Sequence, residues 1–406
     1  MSTLKICVVG LGYVGAPLAV ELTKHFNILG YDINHTRVNE LNSGYDSNNE
    51  LQDFVIKATS RIEDTWNHDV YIITVPTPIS SSNVPDLEPL TKATELVARS
   101  MTKNAIVVYE STVYPGVTED ICVPILSRIS GLKYKKDFHV AYSPERINPG
   151  DRIHTLTTTT KIVSADTAEV LQIVNSIYSS ITKTYVVSSI KVAEAAKIVE
   201  NIQRDVNIAL MNELSQIFST MDIDTNDVID AAKSKWNFLD FRPGLVGGHC
   251  ISVDPYYLSH KATQQGLTAD VILSARKINE SMSKHIVTSL IQLLLKNNLP
   301  ATVTILGITF KENVSDLRNS KVFDIIAELA EYGIIPQLVD PYCDMNLVKQ
   351  LTGIEPVNWF PVKTSATILA VAHDGFKSWP DSPIVMDLKG VLHREDKPQN
   401  TILWRP

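Results

Sequence analysis

The run Lys5-Ile6-Cys7-Val8-Val9 leads directly into Gly10-Leu11-Gly12-Tyr13-Val14-Gly15, and helical periodicity begins at the last of these glycines. A strand that ends in this spacing of glycines and restarts as a helix has few folds open to it. It is the first βαβ unit of a doubly wound, mostly parallel sheet. The glycines permit a tight turn and let backbone amides approach a pyrophosphate at a helix N-terminus. Asp32 closes the next β-branched run, where a carboxylate can accept hydrogen bonds from ribose hydroxyls. An acid there favours NAD over NADP, because a 2′-phosphate would meet like charge. Arg37, one helical turn on, would suit that phosphate instead, but NAD remains the better expectation.

Strand-like runs at 5–9, 28–31, 70–75, 105–109, 139–142 and 184–187 alternate with helical periodicity, the signature of a parallel sheet with crossover helices. From 190 to about 221 the chain has no glycine or proline and reads as one long helix. A glycine-rich segment, 242–257, precedes more helix to about 297, and Asn298-Leu299-Pro300 reads as a boundary. A second α/β unit follows, with strands expected at 301–306, 335–339, 367–371 and 384–387 and a helix at 320–332. The threonine run 157–160 and the serine run 80–82 read as loop or strand edge. The expected architecture is α/β, two doubly wound Rossmann-like domains joined by a long central helix: 1–189 for the dinucleotide, 190–299 helical, 300–406 for a second ligand.

Composition narrows the function. The 406 residues carry 37 Lys and Arg against 45 Asp and Glu, a net charge of −8, the wrong sign for coating nucleic acid. No apolar run approaches a membrane span, and the glycines and Pro17 interrupt the stretch that most resembles a leader, so a cytoplasmic protein is expected. The four cysteines, 7, 122, 250 and 343, show neither a disulfide framework nor zinc-ligand spacing, and no metal is expected.

Among these cysteines, Cys250 follows paired glycines in Gly247-Gly248-His249-Cys250, with Asp254 four residues on. If the segment turns helical, thiol and carboxylate share a face, an arrangement suited to nucleophilic chemistry; a lone cysteine is otherwise more often a small buried hydrophobe. Lys197 and Asn201 share a face of the long helix, a spacing that an exposed helix surface explains equally well. Ser111-Thr112 and Ser143-Pro144-Glu145-Arg146 follow strands, at the carboxyl edge where ligands bind in open α/β sheets. Lys311, Asp316, Arg318 and Ser320 lie between a strand and a helix in the second α/β unit, which lacks GxGxxG and suits a nucleotide-like substrate better than a second dinucleotide. Tyr257 and Lys261 match the Tyr-x-x-x-Lys spacing of short-chain dehydrogenases, but they fall too late in the chain for that fold.

The motifs GLGYVG, VPTP at 75–78, STVYPG at 111–116, SPER at 143–146, AEAAKIVEN at 193–201, GGHCISVDP at 247–255 and LGITFKENVSDLRNS at 306–320 occur in one order. In this the chain resembles the UDP-sugar 6-dehydrogenases, the UDP-glucose/UDP-mannosamine dehydrogenase family, over nearly its whole length. The resemblance implies a four-electron oxidation of a sugar C6 alcohol to a carboxylate with two NAD⁺. Cys250 matches the family's nucleophile, while Lys197, Asn201, Asp254, Glu145 and Thr112 match its other catalytic positions. It implies cofactor contacts by Gly10, Gly12, Tyr13, Val14, Gly15, Asp32, Arg37, Pro76, Thr77, Thr112 and Arg318. Substrate contacts are implied for Glu145, Arg146, Lys197, Asn201, Arg242, Gly244, Gly247, Phe310 and Lys311, with a homodimer built on the long helix. The string FRPGLVGGHCISVDPYYL, with His249 and Val253 where the glucose branch has other residues, is similar to bacterial enzymes that oxidise UDP-N-acetylhexosamines for capsule and O-antigen synthesis. UDP-N-acetylglucosamine is the first expected substrate; the mannosamine, galactosamine and glucose nucleotides are the alternatives. Pro149 replaces an acid of the glucose branch, and Arg146 is expected to take over part of its contact.

Overall fold

A computed structural model describes residues 4–48, 50–147, 153–248, 250–357 and 363–406. The chain divides into two compact units, Met1–Glu200 with Tyr256–Thr268, and Asn201–Pro255 with Ala269–Pro406.

In the first unit, eight strands among the described residues form one sheet: β1 (Lys5–Val9), β2 (Asn27–Tyr31), β3 (Ala58–Thr59), β4 (Val70–Ile73), β5 (Ala105–Tyr109), β6 (Phe138–Tyr142), β7 (Lys161–Ala165) and β8 (Thr184–Val186), in the order 3-2-1-4-5-6-7-8. The helices are α1 (Gly15–Thr23), α2 (His35–Asn42), α3 (Glu88–Ser100), α4 (Val123–Ser130), α5 (Ala168–Ser179) and the beginning of α6 (Ile190–Ser219). The strand order reverses at β1, so the carboxyl ends of β1 and β4 bound the crevice where such sheets bind nucleotides. Local chemistry sets the element ends. The Asn34 side chain accepts from the amides of Thr36 and Arg37 to start α2, and Gly131, at φ +71°, ends α4. Ile6, Val8, Ile72, Val108 and Leu18 lie in a core from which water is excluded.

The sequence reading missed β3 and β7. It marked no antiparallel strand, whereas β7 runs antiparallel to β6, pairing Ala141 with Ala165 and Tyr142 with Ser164. The connection 143–160 contains no helix among its described residues, and an antiparallel return needs none. As a result, the first residue of β7, Lys161, lies at the carboxyl end of β6.

The second unit holds the remainder of α6, α7 (Thr225–Lys233), the start of α8 (Asp254–Gln264), α9 (Asp270–Lys296), α10 (Val322–Glu331) and α11 (Met345–Thr352). Its parallel sheet comprises β9 (Val303–Leu306), β10 (Gln337–Val339), β11 (Ala366–Leu369), β12 (Ile384–Asp387) and β13 (Ile402–Trp404), in the order 10-9-11-12-13. Ile305, Ile368, Met386 and Ile325 pack with Leu290 of α9 in its core. This sheet is the second doubly wound fold expected from the sequence.

Candidate active site

In the first unit, the turn after β1 is shaped for a dinucleotide. Gly10 takes φ +96°, and its amide donates to the Tyr31 carbonyl at 2.8 Å. A Cβ on Gly15 would fall within the Gly10 carbonyl oxygen and the Thr74 hydroxyl, so packing alone requires glycine there. A Cβ on Gly12 would meet no protein atom within 4 Å. Glycine at 12 therefore leaves room for a ligand rather than for the fold, and the backbone of Tyr13 and Val14 continues that cradle into α1. Asp32 accepts from the Leu11 amide at 2.7 Å and from the Asn34 amide at 2.8 Å, fixing its carboxylate at the end of β2.

Arg37 is buried, its Nε donating to the Leu11 carbonyl at 2.8 Å and its Nη1 lying 2.6 Å from Asp46 and 3.4 Å from Glu40. Its charge is spent within the fold, bracing the turn. That leaves Asp32 as the acidic feature at the ribose position, the arrangement suited to NAD.

The loops after β4 and β5 are laced together. The Thr77 hydroxyl donates to the Thr112 carbonyl at 2.6 Å, and Ser111 donates to the Val75 carbonyl at 2.6 Å, with Pro76 exposed between. Tyr257, fully buried, donates to the Thr77 carbonyl at 2.7 Å, and Lys261 lies 5.4 Å from the centroid of Tyr114. The Tyr-x-x-x-Lys pair is thus used structurally. Glu194 of α6 accepts from the amides of Gly116 and Thr118 at 2.6 and 2.9 Å, and burial pushes its carboxyl up to about 7.

At the carboxyl edge of β6, Glu145 accepts at Oε1 from the amides of Arg146 and Ile147, at 2.6 and 2.7 Å. Arg146 pairs with Glu200 at 2.7 Å and donates to the Thr160 carbonyl. Lys197 is buried one turn before Asn201 on α6.

In the second unit, Asn201 donates to Asp254 at 2.5 Å, with both residues buried. Asp254 opens α8, and its amide donates to the Cys250 carbonyl at 2.8 Å. The condition left open by the sequence is therefore met at the start of α8, and Cys250 is only half-buried. Its approach is pinned by the loop after β9: the Gly248 amide donates to the Asn319 carbonyl at 3.1 Å, and the Asn319 side chain returns a bond to the Gly248 carbonyl. A Cβ on Gly247 would lie 2.5 Å from that Asn319 oxygen, and one on Gly248, at φ +84°, would lie 3.2 Å from the Phe310 ring. His249 and Pro149 lie outside the described residues.

Gly244 is clamped at both backbone polar groups by one side chain. Its amide donates to Asn212 Oδ1 at 2.8 Å, and Asn212 Nδ2 donates back to its carbonyl at 3.0 Å and to Asn279 Oδ1 at 2.8 Å. Asn279 in turn bonds Asp205, which also pairs with buried Arg276 at 2.6 Å. Arg242 is engaged by Asp230 and Asp240 at 2.5 and 2.9 Å. In the loop after β9, Lys311 is half-buried, and Arg318 pairs with Asp316 at 2.6 Å.

That loop repeats the first nucleotide turn with one change. Gly307, at φ +85°, donates its amide to the Val339 carbonyl at 2.8 Å, and Asp340 accepts from the amides of Ile308 and Thr309. Here, however, buried His373 closes on Asp340 at 3.0 Å. Burial works against the Asp340 carboxylate, but His373 and the backbone amides outweigh it and hold its pKa below the ordinary value.

Sequence reasoning missed Lys161, which bonds Glu145, with Glu110 and Tyr178 behind it, and Asn212 and Asn319, which hold Gly244 and Gly248. Asn212 carried a usable signal, as a polar residue among the apolar positions of α6. Asn319 had only its place in a motif.

A nucleotide turn with an acid at the end of the second strand, a second doubly wound unit and a half-exposed cysteine beside a buried Asn–Asp pair define an NAD-dependent oxidoreductase with a second nucleotide-binding domain. Three family models match in order: the NAD binding domain of the UDP-glucose/GDP-mannose dehydrogenase family at residues 4–182, its central domain at 191–281 and its UDP binding domain at 304–394. The chain belongs to that family, whose reaction is the NAD-dependent four-electron oxidation of a UDP-sugar C6 hydroxyl to a uronic acid. It is 51% identical to Protein CapL of Staphylococcus aureus, over 98% of this chain and 99% of that one. It is 48% identical to UDP-N-acetyl-D-glucosamine 6-dehydrogenase of Salmonella typhi, over 97% and 98%. The solved UDP-D-ManNAc dehydrogenase of Pyrococcus horikoshii superposes with a TM-score of 0.87 at 28% identity, covering 99% of each chain. Among the described residues, no helix is long and apolar enough to cross a membrane.

Proposed function

We propose that this protein oxidises UDP-N-acetylglucosamine to UDP-N-acetylglucosaminuronate for surface polysaccharide synthesis. The substrate assignment is supported by the 48% identity, nearly end to end, to the Salmonella enzyme, against 31% to the Pyrococcus horikoshii UDP-N-acetyl-D-mannosamine dehydrogenase. The observation that carries the mechanism is the buried Asn201–Asp254 bond, made by the residue whose amide donates to the Cys250 carbonyl.

Gly10, Gly12, Tyr13, Val14, Gly15, Asp32, Pro76, Thr77, Thr112 and Arg318, with Arg37 bracing the turn, would hold NAD⁺, which when bound would supply the hydride acceptor for each oxidation. Lys197 and Asn201 stabilise the C6 oxygen as the alcohol loses a hydride and a proton. The Cys250 sulfur then bonds to the aldehyde carbon, and the oxygen takes a proton, giving a thiohemiacetal. Loss of a second hydride and that proton leaves a thioester. Glu145 removes a proton from water, the hydroxyl oxygen bonds to the thioester carbon, the C–S bond breaks, and Cys250 leaves as a thiolate. Asp254, fixed by Asn201, positions that water and the thiol. Thr112 supports the reacting sugar from the loop after β5. Arg146, Arg242, Gly244, Gly247, Phe310 and Lys311 hold the UDP-sugar.

The chain acts as residues 1–189 for the cofactor, 190–299 for catalysis and pairing, and 300–406 for UDP. Exposed Val192, Val199, Leu210 and Ile217 on α6 support a homodimer through that helix. The test is NADH yield from limiting UDP-N-acetylglucosamine with excess NAD⁺. Two NADH per sugar, with complete turnover lost in Cys250→Ser, is the expected result. One NADH per sugar, unaffected by Cys250→Ser, refutes the thioester route, and turnover confined to another UDP-sugar refutes the substrate assignment.

A further inference from the structure

We propose that Lys161 is the positioning residue for Glu145, and that buried Glu110 sets how much of the lysine's charge Glu145 receives; this rests on the reading of Glu145 as the base of thioester hydrolysis. Nothing in the sequence motifs marks Lys161. The antiparallel return of β7 brings it to the carboxyl edge of the sheet, beside 143–145, where a parallel strand would have carried it to the opposite edge.

The surroundings of Lys161 are fully specified. Its ammonium, 3% exposed, has three N–H donors and three acceptors: Glu110 Oε2 at 2.8 Å, Glu145 Oε2 at 3.2 Å and the Pro144 carbonyl at 3.4 Å. The other oxygen of Glu110 accepts from the Tyr178 hydroxyl at 2.5 Å. The other oxygen of Glu145 is held by the Arg146 and Ile147 amides. Both carboxylates are therefore fixed, one oxygen by a local donor and the other by the same lysine. Arg146, the next residue in the chain, is committed to Glu200.

A purely structural buried pair needs one acid for one base, yet here one ammonium serves two carboxylates. The two carboxyls compete for that one charge, and burial pushes the Glu110 carboxyl above its ordinary pKa. The Glu110 side chain is wholly buried, whereas that of Glu145 is 12% exposed. Glu145 is therefore the carboxylate of the two that water can reach, and it shares its lysine with a buried one. Burial works against the Lys161 ammonium, but Glu110 and Glu145 outweigh it, so the lysine stays charged.

The experiment follows decay of the Cys250 acyl adduct across pH, by rapid quench and intact mass, in the full-length protein with UDP-N-acetylglucosamine and NAD⁺. Glu110→Gln frees the lysine's charge for Glu145. The acid limb of the decay profile should move down by about one pH unit. Because Lys161→Met alone strands a buried carboxylate and could unfold the protein, it is combined with Glu110→Gln, which removes both buried charges. In that double variant the limb should move up and the adduct should persist at least about tenfold longer. Folded variants with an unmoved limb and normal decay overturn the proposal. Glu145→Gln separates the two readings. If it fails to prolong the adduct, the hydrolytic role of Glu145 falls and this proposal with it; if it prolongs the adduct while the Glu110 and Lys161 variants decay normally, only the proposal falls.

Discussion

Replacing Asn212 by Asp exchanges one NH₂ for an oxygen at a fully buried position, and the clamp on Gly244 makes its consequence calculable. Oδ1 keeps its bond from the Gly244 amide. The other position, which donates to the Gly244 carbonyl at 3.0 Å and to Asn279 Oδ1 at 2.8 Å, now presents an acceptor to two acceptors. Asn279 cannot turn to compensate without giving up its bonds to Asp205. Two lost hydrogen bonds at about 1 kcal/mol each, with a carbonyl left unsatisfied at about 1–3 kcal/mol, predict a loss of about 3–5 kcal/mol at pH 7. The new carboxyl is buried, with Asp205 on the far side of Asn279, so its folded-state pKa lies above the unfolded value of about 3.9. The folded variant therefore binds the extra proton more readily, and its deficit shrinks as pH falls toward 4. Urea midpoints of both proteins between pH 4.5 and 8 test this, with KM for the UDP-sugar as a second readout, since Gly244 lies in the proposed substrate loop. Equal midpoints within about 0.5 kcal/mol at pH 7, or a deficit that grows as pH falls, would refute the reasoning.

Three further outcomes follow from other contacts. Glu194, pushed up to about 7 by burial, holds its proton more tightly in the folded than in the unfolded chain, so stability should fall as pH rises from about 4.5 to 7; Tm across that window should lose this slope in Glu194→Gln. Gly12→Ala should fold normally yet bind NAD⁺ at least about tenfold more weakly by calorimetry, whereas Gly15→Ala, whose Cβ collides with the Gly10 carbonyl, should give little folded protein by circular dichroism. Arg37→Met strands the buried Asp46 carboxylate and should cost about 3–5 kcal/mol in chemical denaturation without creating NADP⁺ use in a cofactor-exchange assay.

The sequence displayed its nucleotide turn because glycine spacing is a backbone requirement written in residue type: Gly10 needs its positive φ and Gly15 cannot carry a Cβ. It displayed β1, β5 and β12 to the residue, since continuous apolar runs mark strands buried on both faces. It hid β7 because KIVSA is short and opens with a lysine, which reads as exposed until an antiparallel neighbour buries it. Whether Cys250 and Asp254 share a turn depended on helix formation and was an open condition in the sequence; the bond from the Asp254 amide to the Cys250 carbonyl meets it. What pattern cannot convey is partnership across distance. Asn212 with Gly244, Asn319 with Gly248 and Lys161 with Glu110 are each made by tertiary packing, and none has a periodicity to announce it.

The turn at Gly307 has a bearing on molecular bookkeeping between two ligands. A protein that takes a dinucleotide on one scaffold and a uridine nucleotide on a second of the same design runs the risk of self-inhibition by misplaced ligand, each nucleotide lodging in the other's cradle. In the first copy Asp32 stays partly open to solvent; in the second the equivalent Asp340 side chain is sealed, and no ribose can reach it unless His373 moves. One imidazole thus turns a duplicated receptor into two lodgings with different keys.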